Sequence, residues 1–248
     1  MAKDFPFDPG FFDTKIRLGN GLLAQRILNG FMGSTTLEDT RDYILWALPR
    51  YRKRLQYLVA RNKALAASIL EVSGKTVFFD ASKFAESIRH FSHEQDLDFR
   101  VVHLVRDVRG FSLSRHRNKG ETDLRLIVNK WIHANSNIER QLQRLPTNRW
   151  IRIRYEDVCN SPLETLNRFY AFCGLAPVDA TAAIHPAEHH IVGNRMRLTS
   201  FEGVRVDEAW RRTFTPDQQA YIARLAGKMH AQYGYKPMDN LDLVRESK

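Results

Sequence analysis

From Tyr51 to Val72 the apolar residues Leu55, Leu58, Val59, Leu65, Ile69 and Leu70 recur at helical spacing and predict one long amphipathic helix. Pro49 suits the first turn of that helix. Upstream, Thr35 and Glu38 have capping-box spacing, which predicts a helix from there to about Leu48. Leu22 to Leu28 reads as a short helix, Gly30 to Thr36 as a loop, and residues 1–20, rich in Phe, Gly, Pro and Asp, as irregular. After Val72 the period changes. Lys75-Thr76-Val77-Phe78-Phe79-Asp80, Phe99 to Val105 and Trp150 to Tyr155 are short β-rich runs, each ending in polar residues. Between them, Ser82 to Phe91, the stretch after Asp107 and Thr122 to Leu145 read as helices. In the last, Leu126, Ile127, Trp131, Ile132, Ile138 and Leu142 are expected to face inward. Ser161-Pro162 opens a further helix, with Ser as cap, that ends at Cys173-Gly174. Thr215-Pro216-Asp217 opens the last, reaching about Tyr233.

Strands alternating with helices predict an α/β fold: three layers, α/β/α, helix-rich, around a central, mostly parallel sheet. In such sheets ligands sit beyond the carboxyl ends of the strands. The residues there are Asp80-Ala81-Ser82-Lys83, Arg106-Asp107-Val108-Arg109 and Tyr155-Glu156-Asp157. Cations and hydroxyls beside helix N-termini make an anion site, and an arginine forks onto phosphate where a lysine cannot. Ser114 follows Arg106 two turns into the next helix and can face the same place.

Composition narrows the classes. Hydrophobic residues make up 43% of the 248, enough for a sizeable core. The net charge of +10 favours an anionic partner. Nucleic acid, an anionic membrane surface and phosphorylated or sulfated small molecules all fit that charge; no nucleic-acid-binding motif is present and the bases are interleaved with acids, which counts against the first. The two cysteines, Cys159 and Cys173, have no zinc spacing. His185, Glu188, His189 and His190 lie close in sequence, but Pro186 disfavours a shared helical face, and no metal is expected. Ser73-Gly74-Lys75-Thr76 imitates a Walker motif, yet Ile69 stands where its first glycine is required. No apolar run is long enough to span a membrane and the N-terminus lacks a signal-peptide core, so a cytoplasmic location is expected.

Val101 to Ser114, with the strand end Arg-Asp-Val-Arg and a serine eight residues after the first arginine, resembles the 3′-phosphate-binding segment of sulfotransferases. Val108 replaces the usual proline. Asp80-Ala81-Ser82-Lys83, Arg154-Tyr155-Glu156-Asp157 with Phe172-Cys173-Gly174-Leu175, and His190 to Arg197 with Asp207 to Arg211 are similar to further blocks of bacterial members, in the same order. The resemblance covers about residues 50–236. It implies a single domain over 1–248, with 51–236 as its recognisable core, and a P-loop nucleotide-transferase-like fold. It implies transfer of a sulfuryl group from 3′-phosphoadenosine-5′-phosphosulfate (PAPS) to a hydroxyl or amine acceptor without a metal. Arg106, Ser114 and Arg197 would hold the 3′-phosphate, Tyr155 would contact the adenine, and Lys83 would approach the 5′-phosphosulfate as the catalytic cation. The family's Gly-rich 5′-phosphosulfate loop has no recognisable counterpart, so residues 1–50 are read as truncated or divergent and the first strand as possibly missing. An inactive scaffold for PAPS or its product 3′-phosphoadenosine-5′-phosphate (PAP), and more remotely a basic nucleic-acid-binding protein, are the alternatives. His103, in mid-strand, is expected in the core, His116 has no matched role, and Trp131 and Trp210 are read as packing residues.

Overall fold

A computed structural model describes residues 34–81, 85–92, 94, 96–178 and 205–235. The described residues fall into two units: those up to 99 with 136–145, and 100–135 with those from 146 onward.

The first unit is helical. Helix α1 spans Thr35–Ala47, α2 Pro49–Ser73 and α3 Ala85–Phe91. Pro49 opens α2 at its first turn, where its missing N–H costs nothing, and Gly74 closes it in the left-handed conformation at φ 64°. That conformation makes Gly74 a helix stop. The N-cap of α1 is Ser34, not Thr35. Glu38 therefore sits beyond the third helical position and forms no capping box; its buried carboxylate accepts from Arg140 Nη2 at 3.4 Å. Leu45, Tyr51 and Leu58 form a small core between α1 and α2.

The run Lys75–Asp80 is not a strand. It pairs with no strand among the described residues, and Phe79 is 61% exposed. β propensity reports fit to a pleated, half-buried surface, and a run without a neighbouring ladder has no such surface to fit.

In the second unit, strands β1 (Val101–Val105) and β2 (Trp150–Arg154) pair in parallel. Helices α4 (Val108–Lys119) and α5 (Leu124–Leu142) form the crossover, as parallel strands require. The last residues of α5 belong to the first unit. After β2 come α6 (Tyr155–Asn160), α7 (Pro162–Cys173), α8 (Trp210–Thr213) and α9 (Pro216–Gln232). α6 and α8 were not foreseen from the sequence, since helices this short have no periodicity to read. Pro162 and Gly174 bound α7 as expected, but the Ser161 side chain makes no cap bond. Thr215 caps α9 in a full capping box with Gln218.

Val101, His103 and Val105 are buried on one face of β1, while Leu104 on the other is exposed. The core under the buried face joins Val105 and Val108 to Trp131 of α5, Trp210 of α8 and Ile222 of α9. His103 is a core residue, its Nε2 3.0 Å from Asn135 Oδ1. Along α5 the buried stripe within this unit is Ile127, Val128, Trp131 and Asn135. Leu126, expected inward, lies 50% exposed off that stripe. The α/β, helix-rich architecture with parallel strands stands; the strand at residues 75–80 does not.

Candidate functional site

The register of β1 on β2 sets the geometry. Val105 pairs with Arg154, the last residue of each strand, so Arg106 and Tyr155 leave the sheet side by side. The Arg106 guanidinium lies over the Tyr155 ring, 4.5 Å from its centroid. On its other side is α4. A Cβ added at Gly110 would stand 3.0 Å from Arg106 Nε and 3.4 Å from Nη2. The missing side chain leaves the guanidinium room to lie along the helix. Ser114 is one turn beyond Gly110 on the same face, about 5.4 Å further along the axis, and helical side chains lean back toward the N-terminus, here toward Arg106. Its hydroxyl accepts from Asn118 Nδ2 at 3.2 Å, one turn further still. Arg106, Gly110 and Ser114 thus form a cradle along one helix face, open enough that the Arg106 side chain keeps 25% of its exposure.

Arg106 Nη2 also donates to Asp207 Oδ2 at 3.3 Å, and the Tyr155 hydroxyl donates to the Arg205 carbonyl at 3.4 Å. The segment before α8 therefore lies against both residues. Burial, then the Cys159 thiol, push the Tyr155 phenol up, against the pull of Arg106.

Asp107 anchors the site from behind. Its carboxylate caps α4 by accepting from the Arg109 N–H at 2.8 Å, and it receives Arg109 Nη2 at 2.6 Å. His230 Nε2 approaches at 3.4 Å. Burial alone would raise the carboxyl's pKa, but His230 and Arg109 hold it well below the usual carboxylate range. Arg109 also stacks on Trp210, 4.2 Å from its ring centroid, so Trp210 does more than fill space. The expected proline position holds Val108, the first residue of α4, which is fully buried in the core.

Of the five expected site residues, Arg106 and Tyr155 meet at one strand edge, and Ser114 lies two turns into α4. Lys83 and Arg197 lie outside the described residues, as do His185, Glu188, His189 and His190. His116 Nδ1 lies 2.9 Å from the Glu121 carbonyl oxygen. Among the described residues no group of three or more His, Cys, Asp or Glu side chains is placed to hold a metal ion, and no helix is long and apolar enough to cross a membrane. Gly110 and Asp207 were missed from the sequence. Gly110 carried a signal, a side-chain-free position one turn after an arginine; Asp207, a hundred residues away, stood in a block that resembles the family but had no role read for it.

The fold resembles that of solved sulfotransferase domains. Residues 98–179, which carry Arg106, Ser114 and Tyr155, match the model of the sulfotransferase family. Carbohydrate sulfotransferase 5 of Mus musculus is 30% identical over 170 residues, 56% of this chain and 42% of that protein. The chain thus spans about two fifths of that relative's length. Two solved structures share the fold. The sulfotransferase domain from the Synechococcus PCC 7002 olefin synthase aligns with a TM-score of 0.53 at 17% identity, over 85% of this chain and 74% of that one. The sulfotransferase domain from the curacin biosynthetic pathway aligns with a TM-score of 0.51 at 16% identity, over 78% and 77%. The match to the sulfotransferase family is thus confined to residues 98–179, and the likeness in fold extends over most of the chain.

Proposed function

We propose that this chain binds PAPS and transfers its sulfuryl group to a hydroxyl or amine acceptor. The observation that supports this best is the cradle at the end of β1. A guanidinium spread over an aromatic ring, a helix face cleared by Gly110, and a hydroxyl one turn further on suit a phosphate ester attached to a flat base. Arg106 and Ser114 would take the 3′-phosphate and Tyr155 the adenine. On the resemblance in sequence, Arg197 would complete the phosphate pocket and Lys83 would face the 5′-phosphosulfate.

In the reaction the sulfur–oxygen bond to the bridging phosphate oxygen breaks as the acceptor oxygen or nitrogen bonds to sulfur from the opposite side. Negative charge grows on the departing oxygen, and a fixed ammonium such as Lys83 lowers the barrier by meeting that charge. The acceptor's proton passes to a general base, and product PAP leaves. Nothing in this scheme draws on a metal.

Isothermal calorimetry with PAP tests the donor site. The wild type is expected to bind saturably, and Arg106→Ala to bind about 30-fold more weakly, the size of a charge-assisted hydrogen-bond pair lost. No saturable binding by the wild type would overturn the reading. Turnover of sulfur-labelled PAPS then separates an enzyme from a scaffold that only holds nucleotide.

A further inference from the structure

The peptide bond between Arg106 and Asp107 is gripped at both ends by side chains. Its carbonyl, on Arg106, accepts from Trp131 Nε1 at 3.1 Å. Its N–H, on Asp107, donates to Glu156 Oε1 at 3.1 Å. The other oxygen of Glu156 accepts from the Tyr235 hydroxyl at 2.7 Å. Turns that leave a strand usually meet water or their own backbone; here one peptide plane is fixed by α5 on one side and by α6 with the end of α9 on the other.

Tyr235 is itself held on several sides. Its ring stacks on His230 at 5.0 Å and 21°, and the Arg154 guanidinium lies 5.2 Å from its centroid. Its backbone N–H donates to the His230 carbonyl at 3.2 Å, and Arg154 Nη1 donates to the Gly234 carbonyl at 3.4 Å. Gly234 permits this approach, having φ 78° and no Cβ to meet Arg154. Burial, then the bond to Glu156, push the Tyr235 phenol well up, so it stays a donor throughout the working pH range.

We infer that Trp131, Glu156 and Tyr235 are positioning residues: by fixing the plane of the Arg106–Asp107 peptide they set the direction in which Arg106 leaves the sheet, and with it the grip on the donor's 3′-phosphate. The inference rests on the donor reading above. A peptide plane rotates about the ψ of Arg106 and the φ of Asp107. A turn of that plane, with the fold intact, tilts the Cα–C bond of Arg106 and so re-aims its Cβ by a smaller angle, which the long side chain carries out to the guanidinium. Side chains on rigid elements are what hold a binding group to the tolerance such a site needs.

The test is a double-mutant cycle, with affinity read for PAP and for adenosine 5′-phosphate, which lacks the 3′-phosphate. Tyr235→Phe keeps the ring and removes one hydrogen bond; Trp131→Phe removes the indole N–H. Each is expected to weaken PAP about five-fold, in line with one hydrogen bond, and to leave adenosine 5′-phosphate unchanged. In an Arg106→Ala background, Tyr235→Phe should cost PAP affinity less than about two-fold, because the group it acts through is gone. Glu156→Gln keeps an oxygen acceptor and should retain more of the PAP selectivity than Glu156→Ala. Where Glu156→Ala fails to fold, Tyr235→Phe and Trp131→Phe decide alone. A wild type that binds PAP while Tyr235→Phe loses nothing, or loses equally with and without Arg106, overturns this inference and leaves the donor reading standing. A wild type that does not bind PAP removes the donor reading and this inference together.

Discussion

The two units use arginine in opposite ways. In the helical unit Arg140 and Arg144 converge on Glu38 and Asp39, at 3.4 Å and 3.0 Å, while Arg41 and Arg89 both pair with Asp42. Four guanidiniums share three carboxylates, and most of these side chains are buried or half-buried. The strand-edge unit has a similarly closed pair, Arg109 on Asp107. Three residues earlier it has Arg106, with a quarter of its side chain exposed and only one long contact to a carboxylate. Closed networks specify packing; an arginine resting on an aromatic face beside a cleared helix face is placed for something that arrives from outside. In a protein of net charge +10, basic residues as a class say little about function. How completely each is enclosed by its own carboxylates says more.

That contrast can be broken from both sides. The largest effect is expected at Asp42→Ala, which strands two guanidiniums in a poorly solvated place. Removing one partner of a buried pair should cost about 3 kcal/mol of stability, read as a shift in the urea unfolding midpoint. A loss under about 0.5 kcal/mol, typical of exposed pairs, would mean the cluster is no more than surface decoration. Arg106→Ala should do the reverse. PAP affinity falls by about 2 kcal/mol, the charge-assisted term, while the unfolding midpoint moves little. An equal drop in stability would make Arg106 one more structural arginine.

A smaller effect separates the units by pH. Burial, and secondarily the charge of Arg89, lower the pKa of His90 to about 3. The unfolded chain, with an ordinary histidine, takes up a proton near pH 6.5 that the folded state refuses. The stability that His90 contributes by staying neutral is therefore complete above that pH and is lost progressively as pH falls below it. The loss is about 1.4 kcal/mol for each unit of pH below 6.5. Urea melts at pH 7 and 5.5 should show that loss, and His90→Gln should flatten it. Asp107 has the same sign at lower pH. Its depressed carboxyl contributes stability above the ordinary carboxylate pKa, and that contribution disappears only in more acidic solution. A slope between pH 7 and 5.5 that survives His90→Gln would contradict the assignment.

Much of this was legible in the sequence, and the reason lies in how local each signal is. Pro49, Gly74, Pro162, Gly174 and Pro216 bound their helices because the backbone conformations they favour are decided within a turn. Arg106 and Tyr155 could be placed at one edge because each directly follows a strand, and Ser114 on α4 because of helical spacing; the roles expected of them come from the resemblance alone. The strand expected at residues 75–80 failed because a strand is defined by its neighbour, and six residues cannot reveal whether one exists. Trp131 was read as packing, which is true of its ring; that its indole N–H meets the Arg106 carbonyl depends on α5 crossing the end of β1. Asp207 and Tyr235 reach the site only through tertiary folding. A chain read one window at a time does not show what either of them touches.

Asp207 gives the smallest effect and the sharpest test of the contrast. Its carboxylate, 47% exposed, accepts from Arg106, and its other oxygen accepts from the Ala209 N–H at 3.1 Å, which holds it in place. A donor phosphate reaching Arg106 meets this carboxylate as a competing anion. Asp207→Asn keeps the shape and the acceptor toward Ala209 but removes the charge. The contact is long and solvated, so its release should strengthen PAP binding only about three-fold at low salt. The gain should shrink at 0.5 M salt, where the Debye length falls to about 4 Å. Adenosine 5′-phosphate should show none of it. Weaker PAP binding in Asp207→Asn would mean that the carboxylate orients Arg106 for the phosphate. Arg106 would then belong with Arg109 as an arginine that works through its own acid, and the line drawn between enclosed and open arginines would have to move.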